Sequence, residues 1–215
     1  IHAIVWLGRQ YVYKWEGKAF STTDYTVKLQ NKIIFEVPDS KRESDPTTPN
    51  VISKDLNVTS SLEKGAYAKF LQAAGEKLNS VNDLLSFFSK EGSEKLLGKG
   101  VSLAIIRKEG KHGVYARIDE ITRLDPRLPQ PVSVRDTFYF DPFKPDIDIF
   151  KDKLTYYTKE TIMKSVDSDL FPKELHEAWR DAQVEKASRE QEYGSKAKPS
   201  VGTTSSVSGS TESIE

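Results

Sequence analysis

Residues 96–124, LLGKGVSLAIIRKEGKHGVYARIDEITRL, restrict the fold more than any other stretch of the chain. Val101, Leu103 and Ile105 recur at every second position; beyond a short turn, Val114, Ala116 and Ile118 alternate with Tyr115, Arg117 and Asp119. Period-two alternation bounded by turn residues predicts a half-buried antiparallel pair, with strands at 101–108 and 114–121. Gly110 and Gly113 lie in the connection, where a tight hairpin demands positive φ angles. Beside the apolar face stand Arg107, Lys108, Tyr115 and Arg117. That mixture suits a nucleic-acid surface and equally suits an ordinary solvated sheet.

The segments on either side decide what the hairpin joins. Residues 3–15, AIVWLGRQYVYKW, predict a strand interrupted at Gly8, where a bulge or bend fits the corner of a small barrel. Past the glycine, Tyr11, Tyr13 and Trp15 share one face, with Val12 and Lys14 on the other. Residues 24–29 predict a second strand, Asn31 a turn, and 33–37 a third strand closed by Pro38. Residues 39–50 have the polar, proline-containing composition of a loop, and 51–58 that of an edge strand. Ser60 and Glu63 form an S-x-x-E capping box before Leu62, Ala66, Phe70, Ala73 and Ala74 at helical spacing. A second short helix is predicted within 81–89, a last strand at 138–140, and helices at 151–165 and 171–189. From Gln191 onward the chain is rich in Ser, Gly and Thr and predicts a flexible tail.

Three strands, helices, a hairpin, a last strand and more helices make an α+β chain, mostly β with helices. A five-stranded OB-like barrel has a helix between its third and fourth strands, and the order here matches, with a helical insert and C-terminal helices. The domain expectation is an OB-like domain over 1–150, a helical extension over 151–190 and a tail over 191–215.

Lys plus Arg and Asp plus Glu both total 32 in the 215 residues, so net charge selects no polyanionic partner, and any basic patch must be local. There are no cysteines, which removes disulfides and thiolate-bound metal. No apolar run approaches the ~18 residues of a membrane span, and no signal peptide is legible, so the expectation is a soluble, cytoplasmic protein with no membrane partner. His2, His112 and His176 are scattered, none at metal-ligand spacing from another. No P-loop, nucleophile elbow or dinucleotide fingerprint is present. Asp141, Asp146 and Asp148 carry oxygens for a hard cation, but they read as helix-capping or solvent-facing groups. Pro38-Asp39 looks like the start of a nuclease motif, yet its completing Glu109–Lys111 would sit in a distant hairpin turn. The chain is expected to be neither an enzyme nor a carrier of cofactor or metal.

Four stretches share wording with one family: residues 96–124; VSVRDTFYFDPFKPDIDIFKDKL with the later TIMKSVD; and the N-terminal WLGRQYVYKWEGK and KIIFEVPD. Leu96 to Lys99 before the hairpin, Phe140-Asp141, and the Phe150-x-x-x-Leu154 helix entry resemble elements of phage-encoded single-stranded-DNA-binding proteins. The resemblance covers about residues 4–166. It implies an OB-fold protein coating single strands during phage DNA replication or recombination, in the host cytoplasm, alongside replication or recombination proteins and without catalysis. Many members end in a strongly acidic tail that recruits partners. Residues 194–215 depart from that pattern, with Glu212 and Glu215 against Lys196 and Lys198.

A single-strand binder needs aromatic faces for bases and cations for phosphates. Tyr11, Tyr13, Trp15 and Tyr25 are the stacking candidates, Lys14, Lys28, Lys32, Arg107, Lys108 and Arg117 the phosphate candidates, and Tyr115 completes the set. If Tyr25, Val27 and Leu29 point inward, Tyr25 is lost to stacking, and Lys28 joins Arg107, Tyr115 and Arg117 on an outer face. The competing reading of the aromatics is a packed core. The competing function is a phage structural or assembly component that forms a homo-oligomer through the charged helix around Trp179.

Overall fold

The computed structural model describes residues 1–17, 19–42, 45–110 and 113–196. In chain order the strands are β1 (Ala3–Trp15), β2 (Phe20–Arg42), β3 (Asp45–Asn57), β4 (Val101–Gly110), β5 (Gly113–Arg123) and β6 (Phe138–Phe140). The α-helices are α1 (Ala66–Ala73), α2 (Val81–Ser86), α3 (Lys90–Glu94), α4 (Tyr156–Met163) and α5 (Lys173–Lys196). The architecture is mixed α+β.

Five consecutive apolar residues, Ala3 to Leu7, have no polar side to offer water, and a run of that kind fits a strand covered on both faces. β1 accordingly lies inside a four-stranded sheet of order β3-β2-β1-β6, antiparallel to β2 and parallel to β6. Ile4 and Trp6 enter one core with Ile33, Phe35, Tyr67 and Phe70. Ala3, Val5 and Leu7 enter a second with Phe140, Phe150, Ile162 and Leu175. The helices after β6 thus complete the far side of the sheet.

The hairpin β4–β5 forms as the alternation requires, and its base is buried through Val101, Leu103, Ile118 and Ile121. It is a separate two-stranded sheet: among the described residues no ladder joins it to the four-stranded one, and the sheets do not close into a barrel. The physical reason lies at β1, whose second edge is occupied by β6 and is not open to the hairpin.

Three local expectations are corrected. Residues 24–29 and 33–37 belong to one long strand, β2, and Asn31 is not a turn residue but a fully buried one paired with Trp6. The segment 39–50 is no free loop, because β2 and β3 pair through it irregularly, as at Lys41–Pro49 and Arg42–Asp45. The box at Ser60 does not open α1, which starts at Ala66 behind Gly65 with no side-chain cap. A reciprocal capping box is formed instead by Ser80 and Asp83 at α2.

The chain divides into two units. Ile1–Trp179 holds both cores, including residues 151–179. Arg180–Glu215 is, in its described part, exposed helix with surface pairs such as Lys186–Glu190 and Arg189–Glu185. The tail expected over 191–215 lies outside the described residues from 197 onward, as do Lys111 and His112. Among the described residues no helix is long and apolar enough to cross a membrane.

Candidate nucleic-acid interface

The site begins with a change of face. β1 and β2 pair in regular register through Trp6–Asn31, but the next pairs are Gly8–Gln30 and Arg9–Leu29, so Leu7 is an extra residue on β1. Gly8 adopts φ +77°, and a Cβ there would run into the Ser165 side chain, so only glycine suits the position. The bulge reverses which residues of β1 share a side with the odd residues of β2. Tyr11 and Tyr13 therefore stand opposite Val27 and Tyr25, on the same side as Trp6, Leu29 and Ile33.

A clamp fixes the strand just after the bulge. The Arg9 backbone N–H donates to Asp167 Oδ2 at 2.9 Å and its Nε to Oδ1 at 2.7 Å. Val166 N–H donates to the Arg9 carbonyl at 2.9 Å, and Gln10 Nε2 to the Thr161 carbonyl at 3.1 Å. Burial of the Asp167 carboxyl works against its ionisation, but the Arg9 hydrogen bonds and charge outweigh it and hold the group below the ordinary aspartate value.

Beyond the clamp, β1 and β2 leave the body as a two-stranded ribbon whose aromatic side no core covers. Tyr11, Tyr13 and Tyr25 are 43, 40 and 47% exposed, and Trp15 and Phe20 at the end are 55 and 65% exposed. Tyr25 bridges the other two rings, edge-on to Tyr11 at 4.8 Å and to Tyr13 at 5.7 Å. Trp15 and Phe20 meet at 5.0 Å. The reverse side carries Val12, Lys14 in an exposed pair with Asp24, and Lys28 opposite Gln10.

The cationic candidates divide among three places. Arg107, Lys108 and Arg117 are exposed on the outer half of the β4–β5 hairpin. Register puts Lys108 opposite Tyr115 and Ile106 opposite Arg117, whereas Arg107 stands opposite Ala116 on the other face. Arg107 therefore does not share a face with Tyr115 and Arg117, and Lys28 lies on a different sheet. A second bulge, with Asp119 as the extra residue between the pairs Ala104–Glu120 and Ile105–Ile118, turns both Ile118 and Ile121 into the core. Lys32 is engaged elsewhere: its half-buried ammonium pairs with Asp55 at 2.6 Å.

Tyr25, ranked below the cations on parity, belongs to the exposed stripe because the ribbon outruns the core, so its inward parity leads to solvent. Two further residues of the surface were not legible as such. Phe20 joins only through its pairing with Trp15. Lys54 on β3 donates to the Asp119 carbonyl at 2.7 Å; burial first, and then the neighbouring Arg117 charge, hold its ammonium below the ordinary lysine value. Only a contact between β3 and the hairpin could reveal it.

The acidic residues gather elsewhere. A groove of about 670 Å³ beside β6 is lined by Glu91, Glu94, Asp141 and Asp146 with Lys90 and Lys144, a charge balance that disfavours a phosphate chain. Asp146 Oδ1 accepts from the N–H groups of Asp148 and Ile149, and Asp141 Oδ1 from that of Phe143. Among the described residues no three His, Cys, Asp or Glu side chains gather to hold a metal ion. No family model, curated protein or solved structure matches the chain.

Proposed function

We propose that this chain binds single-stranded DNA with little sequence preference, presenting or protecting single strands during phage DNA replication or recombination in the host cytoplasm. The observation that carries the reading is the uncovered aromatic side of the β1–β2 ribbon. Two tyrosines joined edge-on through a third leave ring surface to solvent, and a base stacked on such a ring contributes about 1–3 kcal/mol. The cations of the β4–β5 hairpin and Lys28 supply phosphate contacts from the body and from the back of the ribbon. A meander of three strands, then helices, then a hairpin is also the chain order of an OB-like module, although β6 takes the edge that closure would use. The reading needs no catalysis, cofactor or metal.

An exposed apolar stripe also fits a second copy of the chain; the exposed Val27 favours that reading because it offers bases no stacking face. Fluorescence anisotropy with labelled oligo-dT at low and high salt separates the two. Binding that quenches tyrosine and tryptophan emission and weakens steeply with salt supports the DNA reading. A concentration-dependent oligomer in sedimentation, with no strand retained at either salt, contradicts it and favours self-association.

A further inference from the structure

The aromatic stripe ends at a cavity. Where the ribbon joins the body, Trp6, Gly8, Leu29, Phe88, Asp141 and Phe143 line a half-open depression of about 150 Å³, which takes the hydrogen-bonding edge of a base and leaves the rest of it outside. Trp6 and Leu29 lie on the same side of the sheet as Tyr11 and Tyr25, so the stripe leads to the cavity mouth. The walls are largely aromatic: Phe88 packs edge-on to Trp6 at 4.9 Å, and the exposed Phe143 packs edge-on to Phe171 at 5.2 Å. Asp141 is the one charged group in the lining. Its Oδ1 takes the Phe143 N–H, and Oδ2 has no hydrogen-bond partner among the described residues.

We infer that this cavity is a subsite for one unstacked nucleobase of a bound strand, read by Asp141, and that it favours guanine. The inference rests on the single-strand reading above and adds a preference to it. Proteins that take a base out of the stack hold it between aromatic and apolar side chains and read its Watson–Crick edge by hydrogen bonds. A carboxylate only accepts. Guanine turns two adjacent donors, N1–H and the N2 amino group, toward such an acceptor. Thymine presents one N–H between two carbonyl oxygens, which the carboxylate repels. Adenine and cytosine each offer a single amino group beside an acceptor. The phosphates stay outside, on the stripe side, away from the acidic groove that Asp141 also borders.

The test uses the full chain and oligo-dT of about a dozen nucleotides, compared with the same strand carrying one central guanine or one central inosine, which lacks the N2 amino group. The guanine strand is expected to bind at least about fivefold tighter than oligo-dT, with inosine between. In Asp141→Asn, and separately in Phe143→Ala, the guanine-to-thymine affinity ratio is expected to collapse toward one. Oligo-dT bound in a salt-dependent way with no gain from guanine overturns the subsite and leaves the single-strand reading standing. A guanine gain that survives in both variants also overturns it. Failure to bind any strand overturns both.

Discussion

The two halves of β1 are continuous in the backbone and opposite in fate. Ala3 to Leu7 lie between two cores with no exposure of consequence, while Tyr11 to Trp15 lean on one partner strand and present their rings to water. The difference comes from what flanks each half. The first has β2 and β6 as neighbours and helices on both sides; the second has β2 alone. A two-stranded ribbon is marginal by itself, and cross-strand ring pairs add only about 0.2–1 kcal/mol each. The Arg9–Asp167 clamp at its root therefore matters to its order. Apolar residues in the first half hold the fold together, and those in the second half are available for binding.

The buried half should show the largest effect. Leu7→Ala, which empties a fully covered site in the second core, is expected to cost about 2–5 kcal/mol in urea unfolding. A loss under ~1 kcal/mol would mean that the core is not closed around β1. Gly8→Ala comes next. The +77° φ alone costs a residue with a Cβ about 1–2 kcal/mol, and the clash with Ser165 adds to it. The melting point should fall, and hydrogen exchange in the ribbon should speed up more than in the body. Uniform protection across both halves would argue against the bulge as the hinge of the design.

Asp167→Asn is expected to act more locally. It weakens charged hydrogen bonds worth about 1.5–3 kcal/mol when well shielded, and Arg9 is half exposed, so about 1 kcal/mol is the expected loss. The effect should show as faster amide exchange from Arg9 to Trp15, with the rate in Ala3 to Leu7 unchanged. The pH dependence follows from the depressed carboxyl. Because the folded group ionises below the ordinary value of 3.8, its contribution is complete above that pH and is lost as pH falls through the lower folded value. Ribbon protection that already declines between neutral pH and ordinary aspartate titration would contradict the assignment.

What the sequence disclosed depended on how local the cause was. The β4–β5 hairpin, β6 and α5 follow from alternation, turn glycines and helical spacing. The break at Gly8 was legible too, but not its consequence, since a bulge that reverses parity depends on the partner register. Tyr25 does point to the core's side of the sheet, but how far the ribbon outruns the core is not written in its strand; and only the hairpin register, with Arg107 opposite Ala116, separates Arg107 from Tyr115. Asn31 has the composition of a turn, yet it is carried into the core because β2 runs straight through it. Barrel closure was the least legible feature. It turned on whether β6, a strand of three residues some hundred and thirty positions away, would take the free edge of β1.

The central claim is that the ribbon's rings bind bases while adding little to stability. The most direct measurement is oligo-dT affinity of the Tyr11→Ala/Tyr25→Ala double variant beside its thermal unfolding. The account expects affinity to fall by about tenfold or more, since two stacking platforms at about 1–3 kcal/mol each are lost, with the melting transition nearly unmoved. A double variant that binds as tightly as the parent chain, at a matched salt concentration, would contradict it.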